Sequence, residues 1–212
     1  MYNFTYVSKK EAAPYKEEII KLIQTVQKEI KKHFTFRFDF IGSSSRNMIT
    51  CEKNRNIGYD FDVNIEPNDP DENYNAGEIR TIIFEAIRKH MQKFGYSKIE
   101  NSTSVITIKA IDRKNSRIEH SCDFAIVFSC GDGRKQYIKY NKRINKYSWE
   151  YRGNNYNIDD KLKWILSNNF KLELCERYLN YKNRNNNPEK HSRTIFAEAV
   201  NDLYNEKRYR FK

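Results

Sequence analysis

A chain of 212 residues carries 39 Lys and Arg against 28 Asp and Glu, a formal charge of +11, and is rich in rings, with 15 Tyr and 13 Phe. That length buries a core without staples, and 7 Gly and 4 Pro exclude a low-complexity chain. No run of about 18 apolar residues exists to span a membrane, the first residues lack the apolar segment of a secretion signal, and Cys51, Cys122, Cys130 and Cys175 show no CxxC spacing, which together predict a reduced, cytoplasmic chain.

In chain order, Ile19, Ile20, Leu22, Ile23, Val26 and Ile30 recur at helical spacing. They predict a helix from Pro14 to His33 with Pro14 in its first turn. An aromatic alternation from Phe34 to Ile41 then predicts a strand. Gly42-Ser43 ends it. Glycine lets backbone approach a ligand closely, and a helical turn opening at Ser44 would aim its N–H groups at an anion. The competing reading is an ordinary serine-capped turn from strand to helix.

A second alternating run, Ile57 to Ile65, holds Asp60-Phe61-Asp62. Residues two apart share one face of a strand. Two carboxylates side by side repel unless a cation separates them, and oxygen ligands favour Mg²⁺ or Mn²⁺. Glu66 to Tyr74 reads as a loop, because Pro67 and Pro70 cannot donate to a ladder. Asn75 to Phe94 reads as a second amphipathic helix, stopped by Gly95.

Val105 to Ile111 and Ile118 to Phe128, joined by the polar turn DRKNS, read as a hairpin. The second of these strands carries Asp123, which shares a face with Ser121 and Ala125, while Cys122, Phe124, Ile126 and Phe128 fill the other. An acid midway along a strand with such neighbours needs a reason: a salt bridge to a nearby Lys or Arg, a half-exposed face, or a role shared with the strands it pairs with.

Charge then shifts. Residues 1–130 carry 20 basic and 18 acidic side chains, residues 131–212 carry 19 and 10. Such an excess suits a polyanionic partner or simply a solvated surface. Gln136 to Tyr140 and Tyr147 to Tyr151 read as two short strands around NKRINK. Tyr137, Tyr140, Tyr147, Trp149 and Tyr151 alternate there with Lys139, Lys142, Arg143, Lys146 and Arg152. Rings that stack on bases beside cations that hold phosphates are one reading; ordinary pairing across a ribbon is the other. Asn157 to Tyr181 reads as a helix with Ser167-Asn168-Asn169 as a candidate break, and Thr194 to Glu206 as a short closing helix. His33, His90, His120 and His191 make no zinc spacing. The predicted fold is α/β of the α+β kind: a mixed sheet flanked by helices over residues 1–135, then a basic ribbon and a small, mostly helical region over 136–212.

Gly42-Ser43 after a strand, Asp60-x-Asp62 on the next strand and Asp123 on a later one resemble the nucleotidyltransferases of the DNA polymerase β superfamily, over residues 14–130. The wording GSSS…DFDV is most similar to the oligoadenylate and cyclic-oligonucleotide synthase branch. Sixteen residues separate Ser43 from Asp60, more than is usual in that family, which implies a loop insertion around CEKNRN. The chain is also short for a synthase of cyclic oligonucleotides, whose helical half is larger.

The resemblance implies transfer of a nucleoside monophosphate from an NTP such as ATP to an acceptor hydroxyl, with release of pyrophosphate. It implies Asp60, Asp62 and Asp123 as catalytic metal ligands for two Mg²⁺ or Mn²⁺ ions. Asp60 and Asp62 would bridge both ions, and Asp123 would hold the one on the acceptor side and take the hydroxyl proton. Gly42, Ser43, Ser44 and Arg46 would hold the triphosphate, with Lys53 just beyond. Candidate acceptors are a nucleotide, an RNA 3′ end, a small alcohol or a protein hydroxyl. A pyrophosphate-transferring enzyme is a lesser alternative. A non-catalytic nucleotide- or RNA-binding module on the same scaffold is the competing class, and three intact carboxylates argue against it.

Overall fold

The computed structural model describes residues 2–52, 58–69, 71–132, 134–151 and 158–210. They fall into two compact units. The larger comprises Val7–Thr50 and Arg55–Arg152; the smaller comprises Met1–Tyr6, Cys51–Asn54 and Gly153–Lys212.

The larger unit opens with helix α1, Lys9–Ile30. Its start lies five residues before the expected Pro14, because Ser8 and Glu11 form a reciprocal capping box that satisfies the first N–H groups. Pro14 therefore sits inside the helix rather than in its opening turn. Strand β2, Thr35–Ile41, leads into a single helical turn, α2, Gly42–Arg46.

Strands β1, Phe4–Tyr6, and β3, Thr50–Glu52, form a separate two-stranded sheet. Strand β4 runs Tyr59–Asn68, past the Glu66 at which a loop was expected. Pro67 is tolerated there because pairing with the strand on the far side stops at Ile65, leaving Pro67 a partner only in Phe36 of β2. Helix α3, Ala76–His90, is capped by Asn75 through its own capping box and continues as a 3₁₀ turn, Met91–Phe94. Strand β5, Lys98–Asn101, precedes the expected hairpin of β6, Ile106–Asp112, and β7, Arg117–Ser129. A ribbon of β8, Lys135–Asn141, and β9, Lys146–Tyr151, follows.

These strands make one mixed sheet of seven, in the order β2-β4-β7-β6-β5, with β8 joining β7 and β9 joining β8. Within this sheet β4 and β7 pair in parallel, and the other described pairs are antiparallel. Residues on both sides of position 135 thus belong to one sheet, since β8 pairs with Val127–Ser129 of β7.

Alternation gives the sheet two unlike faces. Phe61, Val63, Ile65, Ile106, Ile108, Cys122, Phe124 and Ile126 are buried on one. Helices α1 and α3 contribute Ile19, Leu22, Ile23, Val26, Ile79, Ile83 and Ile87 to the same core, each worth about 1.5–3 kcal/mol of transfer free energy. The other face is polar.

The smaller unit holds β1 and, from its partner strand β3, Cys51 and Glu52. The expected helix over 157–181 is two helices, α4, Ile158–Ser167, and α5, Lys171–Arg184; Asn157 lies outside the described residues. The break falls at Asn169, which takes a left-handed φ of 63°, a conformation asparagine tolerates better than most. Helix α6, Ser192–Arg210, extends the expected closing helix at both ends. Leu174 and Tyr178 of α5 and Ile195, Phe196, Ala199, Val200 and Leu203 of α6 are buried, with Tyr178 meeting Phe196 edge-on at 5.6 Å. Asn183 exchanges two hydrogen bonds with the Phe4 backbone, at 2.6 and 3.1 Å, tying β1 to α5. No described helix is long and apolar enough to cross a membrane.

Candidate active site

Directly paired residues on neighbouring strands share a face and stand close together. The register pairs Asp60 with Ser121 and Asp62 with Asp123 across β4 and β7. It pairs Asp123 with Thr107 and Ser121 with Lys109 across β7 and β6. The polar face therefore collects Asp60, Asp62, Asp123, Ser121, Thr107 and Lys109 in two adjacent rows.

Asp60, Asp62 and Asp123 each offer a carboxylate oxygen, and the three oxygens lie within 4.8 Å of one another. Asp60 is exposed; Asp62 and Asp123 are half-buried. Ser121 Oγ donates to Asp60 Oδ1 at 2.9 Å, and Thr107 Oγ1 donates to Asp123 Oδ1 at 2.5 Å. Burial pushes the Asp123 carboxyl above the usual aspartate range, while the Thr107 hydrogen bond and the nearby Lys109 ammonium pull it back down. Lys109 is itself paired with Glu100 at 2.8 Å. Directly beneath the triad, burial raises the Cys122 thiol well above its ordinary value, and the charges of Asp60, Asp123 and Asp62 raise it further. Cys122 is thus an inert packing group, as its apolar neighbours predict.

The turn after β2 meets the same site. Ile41 pairs with Asp62, and Gly42 follows with φ +65°. A Cβ on Gly42 would lie 2.4 Å from Asp62 Oδ2. The left-handed backbone favours glycine here, and any larger residue would also have to push the Asp62 carboxylate aside. The Ser43 carbonyl accepts from the Met48 amide at 2.9 Å, closing the turn. Ser44 is buried, and its hydroxyl donates to the Ile41 carbonyl at 3.0 Å. Ser45 makes the equivalent bond to the Gly42 carbonyl, also 3.0 Å. Arg46 ends α2 and is half-buried. Lys53 lies outside the described residues. The stretch between Ser43 and Asp60 contains β3, which takes up Cys51 and Glu52 of CEKNRN; the rest of the expected insertion lies outside the described residues.

A second glycine positions β4. A Cβ on Gly58 would stand 2.0 Å from the Glu119 carbonyl oxygen, so only glycine lets β4 start this close to β7. Gly58, Thr107 and Lys109 carry no sequence signal of their own, because each matters only through the strand pairing. Ser121 was visible as a face-mate of Asp123, but its bond to Asp60 depends on a partner strand that alternation does not name.

Three carboxylate oxygens at this spacing form a donor set suited to a hard divalent cation. Mg²⁺ or Mn²⁺ fits the oxygen chemistry, and the three residues able to hold it are Asp60, Asp62 and Asp123.

No protein-family model matches the chain, and no curated protein matches it. Solved structures share its fold. The CdnE cyclic dinucleotide synthase of Elizabethkingia meningoseptica, solved with GTP and Apcpp, aligns with a TM-score of 0.57 and 13% identity over 95% of this chain and 73% of its own. Vibrio cholerae DncV in its 3'-deoxy ATP bound form gives 0.55 and 15%, over 89% of this chain and 51% of that one. The Bradyrhizobium diazoefficiens CD-NTase CdnG in complex with GTP gives 0.51 and 13%, over 95% and 49%. The chain spans about half the length of the last two. The chain shares the fold of these cyclic dinucleotide synthase structures, the group that the pattern of Gly42-Ser43, Asp60-x-Asp62 and Asp123 resembles in wording.

Proposed function

We propose that this chain is a metal-dependent nucleotidyltransferase that moves a nucleoside monophosphate from an NTP to an acceptor hydroxyl. The observation that carries this reading is the convergence of Asp60, Asp62 and Asp123 within 4.8 Å on the face that Gly42 borders. A bond forms between the acceptor oxygen and the α-phosphorus, the bond from that phosphorus to the β-phosphate oxygen breaks, and pyrophosphate leaves. Phosphoryl transfer of this kind asks the protein for positioning and charge neutralisation.

Divalent ions held by Asp60, Asp62 and Asp123 would supply charge stabilisation at the attacking and leaving oxygens. The chain's own groups do the rest. Gly42 lets the turn lie against the Asp62 carboxylate, and Ser43 and Arg46 belong to the turn that would receive the triphosphate. Ser44 contributes to this turn chiefly by bracing it from within, through its bond to Ile41. Asp123 has Oδ1 engaged by Thr107, so Oδ2 is the atom that faces the acceptor and takes its proton. Burial, which raises the affinity of this carboxylate for a proton, suits it to that role.

The solved relatives in fold are bound to GTP or to ATP analogues, which supports an NTP donor here. A nucleotide hydroxyl is the acceptor that this likeness favours. Incubation with each labelled NTP, Mg²⁺ or Mn²⁺ and pooled nucleotides or RNA, followed by thin-layer separation, tests the proposal. A new phosphatase-resistant product with release of pyrophosphate is expected. Nucleotide binding with no product under any metal would return the chain to the class of binding modules.

A further inference from the structure

We infer that Thr107 and Ser121 are positioning residues, which lock two of the three site carboxylates in the orientation that metal binding needs. The inference rests on the nucleotidyltransferase reading and goes beyond it, to residues that bear no part of the Gly-Ser and Asp-x-Asp pattern.

The terminal torsion of an aspartate is broad and roughly two-fold. Three anionic groups gathered within 4.8 Å would use that freedom to turn their oxygens away from one another. Two hydroxyls oppose the turn. Thr107 reaches Asp123 Oδ1 at 2.5 Å, and Ser121 reaches Asp60 Oδ1 at 2.9 Å. Each hydroxyl comes from the residue directly paired with its carboxylate on the neighbouring strand. The donors therefore share the rigidity of the sheet and need no loop to place them. Thr107 is β-branched, so its own first torsion is stiff. Each bond fixes one oxygen of its carboxylate, and with it the direction in which the other oxygen points. Hydrogen bonds to ligating carboxylates commonly tune metal sites in this way, and their loss costs about 10–100-fold in affinity or activity.

The test measures binding of Mn²⁺ alone to the full chain, by the loss of its free electron-spin resonance signal, alongside turnover and thermal melts. Thr107→Val keeps the shape and removes the donor; Ser121→Ala removes the other. Each is expected to weaken Mn²⁺ binding about 10–100-fold with a melt close to wild type, and Thr107→Ser is expected to restore it. In an Asp123→Ala background, Thr107→Val should cost nothing further, because the hydroxyl acts through that carboxylate. Should the valine variant fail to fold, Thr107→Ala against Thr107→Ser carries the same comparison. Variants that bind Mn²⁺ as tightly as wild type overturn the positioning role alone. A wild-type chain that binds no Mn²⁺ overturns the nucleotidyltransferase reading, and this role with it.

Discussion

Asp62 of β4 and Asp123 of β7 are direct cross-strand partners in the parallel pair of the sheet. Parallel neighbours cannot be joined by a tight turn, and here the connection runs through α3, β5 and β6. The site is therefore built from two strands far apart in the chain, and its geometry depends on long-range pairing rather than on a local turn.

That juxtaposition predicts metal-dependent nucleotide binding. Calorimetry with a non-hydrolysable ATP analogue should give saturable binding in Mg²⁺ or Mn²⁺ and none in excess EDTA. Asp60→Asn and Asp62→Asn should each abolish the metal-dependent part and lower turnover by about 10²–10³-fold, the scale of losing one electrostatic contact to a transition state. Equal affinity with and without EDTA would sink the metal role.

Asp123 should behave differently from its neighbours. Asp123→Asn is expected to keep much of the nucleotide affinity while losing turnover, since its free oxygen serves the acceptor. Its stability effect has the opposite sign. A buried carboxyl held above its unfolded value costs stability wherever it is ionised in the fold. That cost is full above the folded value and disappears below the unfolded one. In EDTA at neutral pH, Asp123→Asn should therefore melt higher than wild type, by about 2–4 °C for each kcal/mol relieved in a chain of this size. The advantage should shrink as pH falls through the aspartate range. An advantage that grew on acidification would show the sign to be wrong.

The elements around this site were legible because each announces itself locally. Alternation marked β2, β4 and β7, and helical spacing marked α1 and α3. The start of α1 was also written in the chain, as Ser8-x-x-Glu11, but Pro14 is the louder signal. Strands β1 and β3 are three residues each, too short for a period to show. The extension of β4 through Pro67 depends on which neighbour is absent, a property of the sheet rather than of the segment. The same holds for Thr107 and Gly58. Their roles follow from register, and register between β4, β6 and β7 is a long-range fact that no local pattern encodes.

The two glycines should fail in distinguishable ways. Gly42→Ala places a methyl 2.4 Å from a side-chain oxygen at φ +65°. It should cost about 1–2 kcal/mol for the left-handed backbone and displace the Asp62 carboxylate, lowering turnover and metal affinity together. Gly58→Ala meets a backbone carbonyl at 2.0 Å, which cannot swing aside. It should destabilise more than Gly42→Ala, because β4 must move off β7 to make room. Chemical denaturation of both variants checks the order; Gly42→Ala being the less stable would mean that the strand start at Gly58 gives way easily.

The ribbon offers a last prediction, about the partner. Its rings are largely committed to the protein itself. Tyr140 meets Tyr147 at 5.1 Å, Trp149 meets Phe128 at 6.2 Å, and the Arg80 guanidinium lies 5.5 Å from the centre of the Tyr147 ring. Its turn is another matter: Lys142, Arg143 and Ile144 are exposed, as is Lys146 at the start of β9. If this surface holds a polyanionic acceptor, the cations rather than the rings carry the contact. Reversing Lys142, Arg143 and Lys146 together should then flatten the slope of log affinity against log salt by about 2 for a single-stranded acceptor, at about 0.7 for each phosphate released from contact. Metal-dependent NTP binding at Asp60 and Asp62 should be untouched, because those residues lie on other strands and act on the other substrate. An unchanged salt slope in the triple variant would reduce the basic turn to a solvated surface. The acceptor would then be a molecule small enough to be held beside Asp123 alone.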